Sequence, residues 1–298
     1  MKTLVSIVVA TYRREEALSK ALQSLGKQTY SPIEVVLVDD NAVPDWNAKV
    51  CEAVSAFVSE NPDVSIQHIT NERNQGSAET RNIGIRAARG EYITFLDDDD
   101  VYLPEKVAHQ LLHMQEVGSD YSITDLDLYN EQDKLIDKRT RTYITDTTPG
   151  ALRAYHLKYH LTGTDTMMFR REYLLAIGGF EPIDVGDEFY LMQKAIEGGG
   201  AFSYLPICDI RAYVHTGEGG VSSGQGKING EKALYEYKKQ FLPMLSRSDR
   251  RYIRMRHHAV LAFAYLRMRK MGGTVKHGIC SVLTAPLAFL KLLKDRKV

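Results

Sequence analysis

The chain has 298 residues, 44% hydrophobic and 26% charged, enough apolar content to bury an ordinary globular core. Its three cysteines, Cys51, Cys208 and Cys280, lie far apart, which argues against a disulfide framework and a zinc cluster and fits a reducing cytosol. The formal net charge of +0 hides a split: residues 247–298 hold 13 Lys+Arg and 2 Asp+Glu, a balance of +11, and residues 1–246 carry the compensating −11. An acidic body with a basic tail implies contact between the tail and an anionic surface.

The opening MKTLVSIVVATYRR has one lysine before a short apolar run. It reads as a first strand over residues 4–10, because Thr11, Tyr12 and two arginines follow where a signal peptide needs small residues for cleavage. Residues 14–25 have helical apolar spacing. Residues 33–38 (IEVVLV) are a second buried strand, ending in Asp39, Asp40 and Asn41. Strand, helix, strand closes naturally as a right-handed parallel unit. A helix over 45–59, a strand over 64–69, a polar loop over 71–76 and a helix over 77–88 follow. Gly90 breaks that helix, and residues 92–96 (YITFL) form the central strand. This alternation predicts a doubly wound α/β sheet.

Four carboxylates, Asp97 to Asp100, follow the central strand at once. Adjacent like charges repel and cannot be buried unpaired. Either they form a solvated acidic turn capping the helix that starts near Pro104, or they sit at the carboxyl end of a strand, where open α/β sheets place ligands, and hold a divalent cation.

Beyond this point the order is less regular. Residues 104–117 are amphipathic, 121–128 alternate like a strand, and 135–144 are a hairpin arm. A strand falls within 161–170. A helix over 187–197 ends in Gly198 to Gly200, and short strands are predicted over 202–205 and 210–214. Residues 217–230 hold six glycines and read as a mobile loop. Helices follow over 231–245 and 248–270, with a break at Gly272 and Gly273. The apolar stretch 279–293 contains Pro286 and Lys291 and is too short to span a bilayer. It reads as an amphipathic helix lying in a membrane interface, or as a stripe packed on the body or on a partner chain.

Five stretches in order carry a family likeness: residues 5–12 (VSIVVATY), 38–41 (VDDN), Asn74-Gln75-Gly76 with Thr80-Arg81-Asn82, 90–100 with Pro104, and Gly186-Asp187 opening a helix. With these, the chain resembles the family 2 glycosyltransferases of the GT-A fold. The resemblance implies an α/β catalytic domain over 1–225, with a mostly parallel central sheet flanked by helices, and a C-terminal basic helical region over 226–298. It implies an inverting transfer from a UDP-sugar to an acceptor hydroxyl, dependent on Mn²⁺ or Mg²⁺, in surface polysaccharide or cell-wall glycan synthesis. Thr11, Tyr12, Arg14, Asp40, Arg81, Asp97 and Asp98 would bind the nucleotide-sugar. Tyr12 would stack on the base and Asp40 would accept the uracil N3–H, although an aspartate there can also simply cap the next helix. Asp99 and Asp97 would hold the metal, with His215 as a third ligand; four consecutive acids leave Asp98 and Asp100 open as alternatives. Asp187 would be the general base, with Glu188 as the alternative.

A nucleotidyltransferase fits less well, because Thr11 to Arg14 lack the glycines of a triphosphate loop. A non-catalytic scaffold at the membrane is the other alternative. The tail is too apolar for nucleic acid. A lipid-linked or glycan acceptor at the inner face of the cell membrane, and a homo-oligomer, complete the expected partners.

Overall fold

Seven elements alternate through the first hundred residues of the computed structural model: β1 (Val5–Thr11), α1 (Glu15–Gly26), β2 (Ile33–Asp39), α2 (Pro44–Glu60), β3 (Ser65–Thr70), α3 (Ser77–Ala87) and β4 (Tyr92–Asp97). After them come β5 (Val101–Tyr102), α4 (Lys106–Val117), β6 (Tyr121–Thr124), β7 (Leu126–Asn130), β8 (Leu135–Arg139), α5 (Pro149–Tyr159), β9 (Met167–Arg170), α6 (Arg171–Ala176), α7 (Asp187–Glu197), β10 (Phe202–Leu205) and β11 (Ile210–Val214). Four helices close the chain: α8 (Gly224–Lys239), α9 (Arg247–Arg267), α10 (Met271–Thr284) and α11 (Pro286–Asp295). The structure describes residues 2–183, 186–214 and 224–295. The chain divides into two units, Met1–Pro149 with Leu161–His215, and Gly150–His160 with Thr216–Val298.

The first unit is built on a seven-stranded sheet of order β10-β6-β9-β4-β1-β2-β3. Every neighbouring pair is parallel except those made by β9, which runs against both β4 and β6. β2 is buried along its whole length and β1 nearly so, as expected where helices cover both faces of a parallel sheet. Val5, Ile7 and Val9 pack with Leu18, Leu22 and Leu25 of α1. A second sheet of order β5-β11-β7-β8 lies in the same unit.

A charged side chain of β2 lies inside this apolar centre. Glu34 of β2 is 1% exposed. It accepts hydrogen bonds from Ser6 Oγ (2.6 Å), Arg89 N (2.6 Å) and Arg89 Nε (2.8 Å). Burial pushes its carboxyl up, but these donors outweigh burial and hold it below the ordinary value. Gly90 donates to Ser6 Oγ at 2.8 Å. A Cβ on Gly90 would lie 2.6 Å from Ser6 N, so only glycine lets the chain enter β4 this close to β1.

The structure changes several expectations. The single strand over 121–128 is two, one in each sheet. They part at Asp125, whose Oδ1 accepts from Tyr204 Oη (2.8 Å) and Arg141 N (3.0 Å). β5, α5 and α6 were not anticipated. Residues 224–230, expected in a glycine-rich loop, open α8; residues 217–223 of that stretch lie outside the described residues. Gly272 and Gly273 sit in the first turn of α10 instead of breaking the chain. The break falls just before them, where Arg269 has φ 56°. The apolar stretch 279–293 is divided between α10 and α11, which bend by 115°. Pro286 accounts for the division, since it cannot donate to a carbonyl one turn back.

In the second unit, Ile228 of α8 packs with Leu261 and Ala264 of α9. Lys238 of α8 is 4% exposed and donates to Leu157 O at 3.0 Å. Its Nζ lies 2.7 Å from His160 Nε2, which also lies 3.1 Å from Arg256 Nη1.

Candidate active site

Parallel strands end together, so β1, β2 and β4 deliver their following residues to one edge of the sheet. Asp97 is the last residue of β4. The Asp100 N–H donates to Asp97 O at 3.1 Å, closing a four-residue turn that sets the first and fourth residues side by side. Asp98 and Asp99 are its corners. A third carboxylate arrives from elsewhere. Because β9 runs antiparallel to β4, its beginning lies at the carboxyl end of β4, and Asp165 sits there, accepting from Asp97 N at 2.7 Å. Ligand oxygens of Asp97, Asp100 and Asp165 all lie within 4.8 Å of one another.

This cluster is short of positive charge. Burial first, and then Asp165 and Asp99, push Asp97 up to about 8 against the pull of Arg81, while a third of its side chain still reaches solvent. Burial and then Asp165 hold Asp100 well above its ordinary value, and burial raises Asp165. Three converging carboxylates, crowded together where burial opposes their charge, are a hard-oxygen donor set that suits Mg²⁺ or Mn²⁺.

The expected ligand pair was Asp97 and Asp99. The turn sends Asp99 the other way, to an ion pair with Arg14 Nη1 at 2.5 Å. The set that converges is Asp97, Asp100 and Asp165. His215 lies outside the described residues. Asp98 faces β1, where its Oδ2 accepts from Thr11 Oγ1 (2.7 Å) and Tyr12 N (3.1 Å). Burial and then Asp99 push Asp98 up to about 6. Thr11 therefore spends its hydroxyl on Asp98, whereas Tyr12 is 43% exposed with the Arg13 guanidinium 5.0 Å from its ring.

Asp40 does not cap α2, whose N-cap is Val43. Its carboxylate instead gathers the loop expected over 71–76, accepting from Asn71 Nδ2 (2.8 Å), Gln75 N (2.8 Å) and Gly76 N (3.0 Å). Gly76 has φ 81°, a conformation glycine adopts readily, and α3 starts immediately after it.

Arg81 of α3 joins the acidic turn to α7. Its Nη2 meets Asp97 Oδ1 at 2.6 Å and its Nη1 meets Asp187 Oδ2 at 2.7 Å. Burial opposes its charge, yet Asp97 and Asp187 outweigh burial and raise its pKa further. Asp187 opens α7 behind Gly186, which has φ 80°. It also accepts from Ser77 Oγ at 3.3 Å and from Glu188 N at 2.9 Å. Glu188 is pushed up to about 7, by burial first and then by the charge of Asp187.

Two participants were missed from sequence. Asp165 stands in a polar stretch just before an apolar strand, a signal visible but undecodable without knowing that β9 is antiparallel. Lys106 occupies the apolar face of α4 with Val107, Gln110, Leu111 and Met114. It is 1% exposed, touches Thr94 Oγ1 and donates to Tyr102 Oη at 2.8 Å. Burial lowers its pKa to about 7. Tyr102 Oη in turn donates to Phe95 O, so this network braces β4 behind the acidic turn.

With the site described, comparison with known proteins defines its class. The sequence model for "Glycosyl transferase family 2" matches residues 6–178, more than half the chain. The protein belongs to this family, with the GT-A fold. An uncharacterized glycosyltransferase of Haemophilus influenzae is 39% identical over 103 residues, 35% of this chain and 32% of that protein. Glycosyltransferase GlyG of Streptococcus pneumoniae serotype 4 is 34% identical over 133 residues, 45% of this chain and 42% of its own. Succinoglycan biosynthesis protein ExoO of Rhizobium meliloti is 26% identical over 227 residues, 73% of this chain and 62% of its own. The chain thus spans between about a third and three-fifths of these relatives. Among solved structures, the mannosyltransferase PcManGT from Pyrobaculum calidifontis, in complex with GDP-Man and Mn²⁺, superposes with a TM-score of 0.62 at 19% identity, covering 100% of this chain and 89% of that one. S. aureus TarS 1-349 in complex with UDP-GlcNAc gives 0.59 at 17% identity, covering 92% and 89%. At these identities the likeness is one of fold.

Proposed function

We propose that this protein transfers a sugar from a nucleotide-sugar, a UDP-sugar in the first instance, to an acceptor hydroxyl of a surface polysaccharide or cell-wall glycan. The observation that carries the reading is the convergence of Asp97, Asp100 and Asp165 at the end of β4, with Asp187 tied to the same point through Arg81. The relative named for succinoglycan biosynthesis, ExoO, and the UDP-GlcNAc complex of TarS support it.

Asp97, Asp100 and Asp165 would hold Mn²⁺ or Mg²⁺. When bound, such an ion offsets negative charge developing on a leaving diphosphate. Tyr12 offers its exposed ring to the base. Arg14 and Arg81 supply guanidinium groups to the phosphate side of the site. Asp187 takes the proton of the acceptor hydroxyl as that oxygen bonds to the anomeric carbon, and the bond from that carbon to the diphosphate breaks on the opposite face. The sugar is thereby inverted and the nucleoside diphosphate leaves. Glu188, next to Asp187, is the alternative base.

The test is release of nucleoside diphosphate from a panel of UDP- and GDP-sugars, with Mn²⁺ or with EDTA, in the presence of glycan acceptors. Release that needs metal and is lost in Asp187→Asn supports the reading. No release from any donor, together with no nucleotide binding, would move the non-catalytic scaffold to the front.

A further inference from the structure

The second unit carries a surface that the catalytic reading leaves unused. Arg247, Arg250, Arg251 and Arg254 recur on α9 at three- and four-residue spacing, which places them on one face, and all four are exposed. With Cys280 and Thr284 of α10 they line an open groove of ≈ 740 Å³. Arg251 is anchored there, its Nε and Nη2 donating to Thr284 O at 3.2 and 3.0 Å. Among the described residues, Arg247, Arg250 and Arg254 make no ion pair with a carboxylate. The acid within their own stretch, Asp249, is taken by Lys158 Nζ at 2.7 Å and by the Ser246 hydroxyl at 2.6 Å.

Directly beside this row the surface turns apolar. Leu283 lines the arginine groove and also a second groove of ≈ 370 Å³, shared with Val275, Ile279 and Val282. Leu283 is 75% exposed, and Leu287 and Leu290 of α11 are 82% and 61% exposed. Leaving this many large apolar side chains in water is costly, and contiguous patches of them mark interaction sites. No single helix among the described residues is long and apolar enough to cross a membrane. Two short apolar helices bent by 115° beside a row of exposed arginines fit a surface that offers hydrocarbon and anionic phosphate within one layer. A second copy of the chain, docked face to face, would cover the leucines but crowd two arginine rows around one seam.

We propose that this face of the second unit docks on an anionic phospholipid bilayer, the leucines of α10 and α11 entering the acyl boundary and Arg247, Arg250 and Arg254 meeting headgroup phosphates. The proposal stands on the second unit alone and does not rest on the catalytic reading.

The experiment is co-sedimentation of the full chain with vesicles of phosphatidylcholine alone and of phosphatidylcholine mixed with phosphatidylglycerol, at low and high salt. The wild type partitions onto the phosphatidylglycerol vesicles and is released by salt. The triple variant Arg247→Gln, Arg250→Gln, Arg254→Gln loses about a hundred-fold in partitioning, from roughly 1 kcal/mol per basic residue. The pair Leu283→Ser, Leu287→Ser also releases the protein. All five positions are exposed, and unchanged circular dichroism and melting confirm that the variants fold. Equal binding to both vesicle types would overturn the proposal. So would unchanged binding by the arginine variant, or no vesicle binding with a concentration-dependent dimer that the leucine variant dissolves, which would assign the face to a second copy.

Discussion

Arg81 is the hinge of the account at the scale of single residues. It lies between an acid at the end of β4 and another at the start of α7, 106 positions away in sequence, and bonds both. Asp187 and Glu188 are neighbours with different prospects. Asp187 carries the Arg81 ion pair, whereas Glu188 is pushed up to about 7. As pH rises through 7, Glu188 loses its proton, and its new negative charge draws the acceptor's proton toward this end of α7. The rate of transfer is therefore expected to rise across that range in the wild type. In Glu188→Gln the rise disappears while most activity stays. In Asp187→Asn the rate falls at every pH by about 10²–10⁴. A pH–rate profile of the three proteins checks this; loss of rate in Glu188→Gln alone would exchange the two roles.

The acid run itself was readable in the sequence, because four carboxylates behind an apolar strand admit few explanations. Its register was not. Which acids converge depends on the bond from Asp100 N to Asp97 O, a matter of turn geometry that composition does not encode. The place of Asp165 depends on the direction of β9, and the partner of Arg81 on a contact between distant helices. Asp40 was placed at the end of β2 correctly, but its hold on Gln75 and Gly76 is visible only in three dimensions.

At the scale of elements, β1 to β4 and the helices between them were legible because β1, β2 and β4 are nearly unbroken apolar runs and the more polar β3 falls in step with their alternation with helices. The split of residues 121–128 was not, because it follows from Asp125 being held by Tyr204 and Arg141. The entry to β4 is tightly constrained. Gly90→Ala would press a methyl group onto backbone atoms of Ser6 and Leu4, which cannot give way as a flexible side chain can. A loss of about 1–3 kcal/mol in urea unfolding is expected.

A second element-scale effect lies in α8. Burial, and then the charge of Arg256, lower Lys238 from its ordinary 10.5 to about 7. The unfolded chain then holds a proton that the folded chain releases between pH 7 and 10.5, so stability rises with pH across that window. The cost of burying the charged lysine is complete below pH 7. Unfolding of Lys238→Met, measured from pH 7 to pH 9, is expected to show a smaller gain than the wild type. Parallel slopes would mean that Lys238 keeps its ordinary affinity for protons in the fold.

At the scale of the whole molecule, an acidic body and a basic tail were evident from charge alone, and the family followed from five short stretches in order. The first unit supplies the acidic turn; the second supplies a basic and apolar surface of its own. The central claim is that Asp97, Asp100 and Asp165 form a metal-dependent nucleotide site. Calorimetric titration of the full chain with UDP, beside GDP and CDP, in Mn²⁺ and then in EDTA, with Asp165→Asn in parallel, tests it most directly. The account predicts binding of UDP in Mn²⁺ that EDTA abolishes and that Asp165→Asn weakens by at least the roughly 10–100-fold typical of lost metal-site partners. Binding of equal strength without metal, or undiminished in Asp165→Asn, would contradict it.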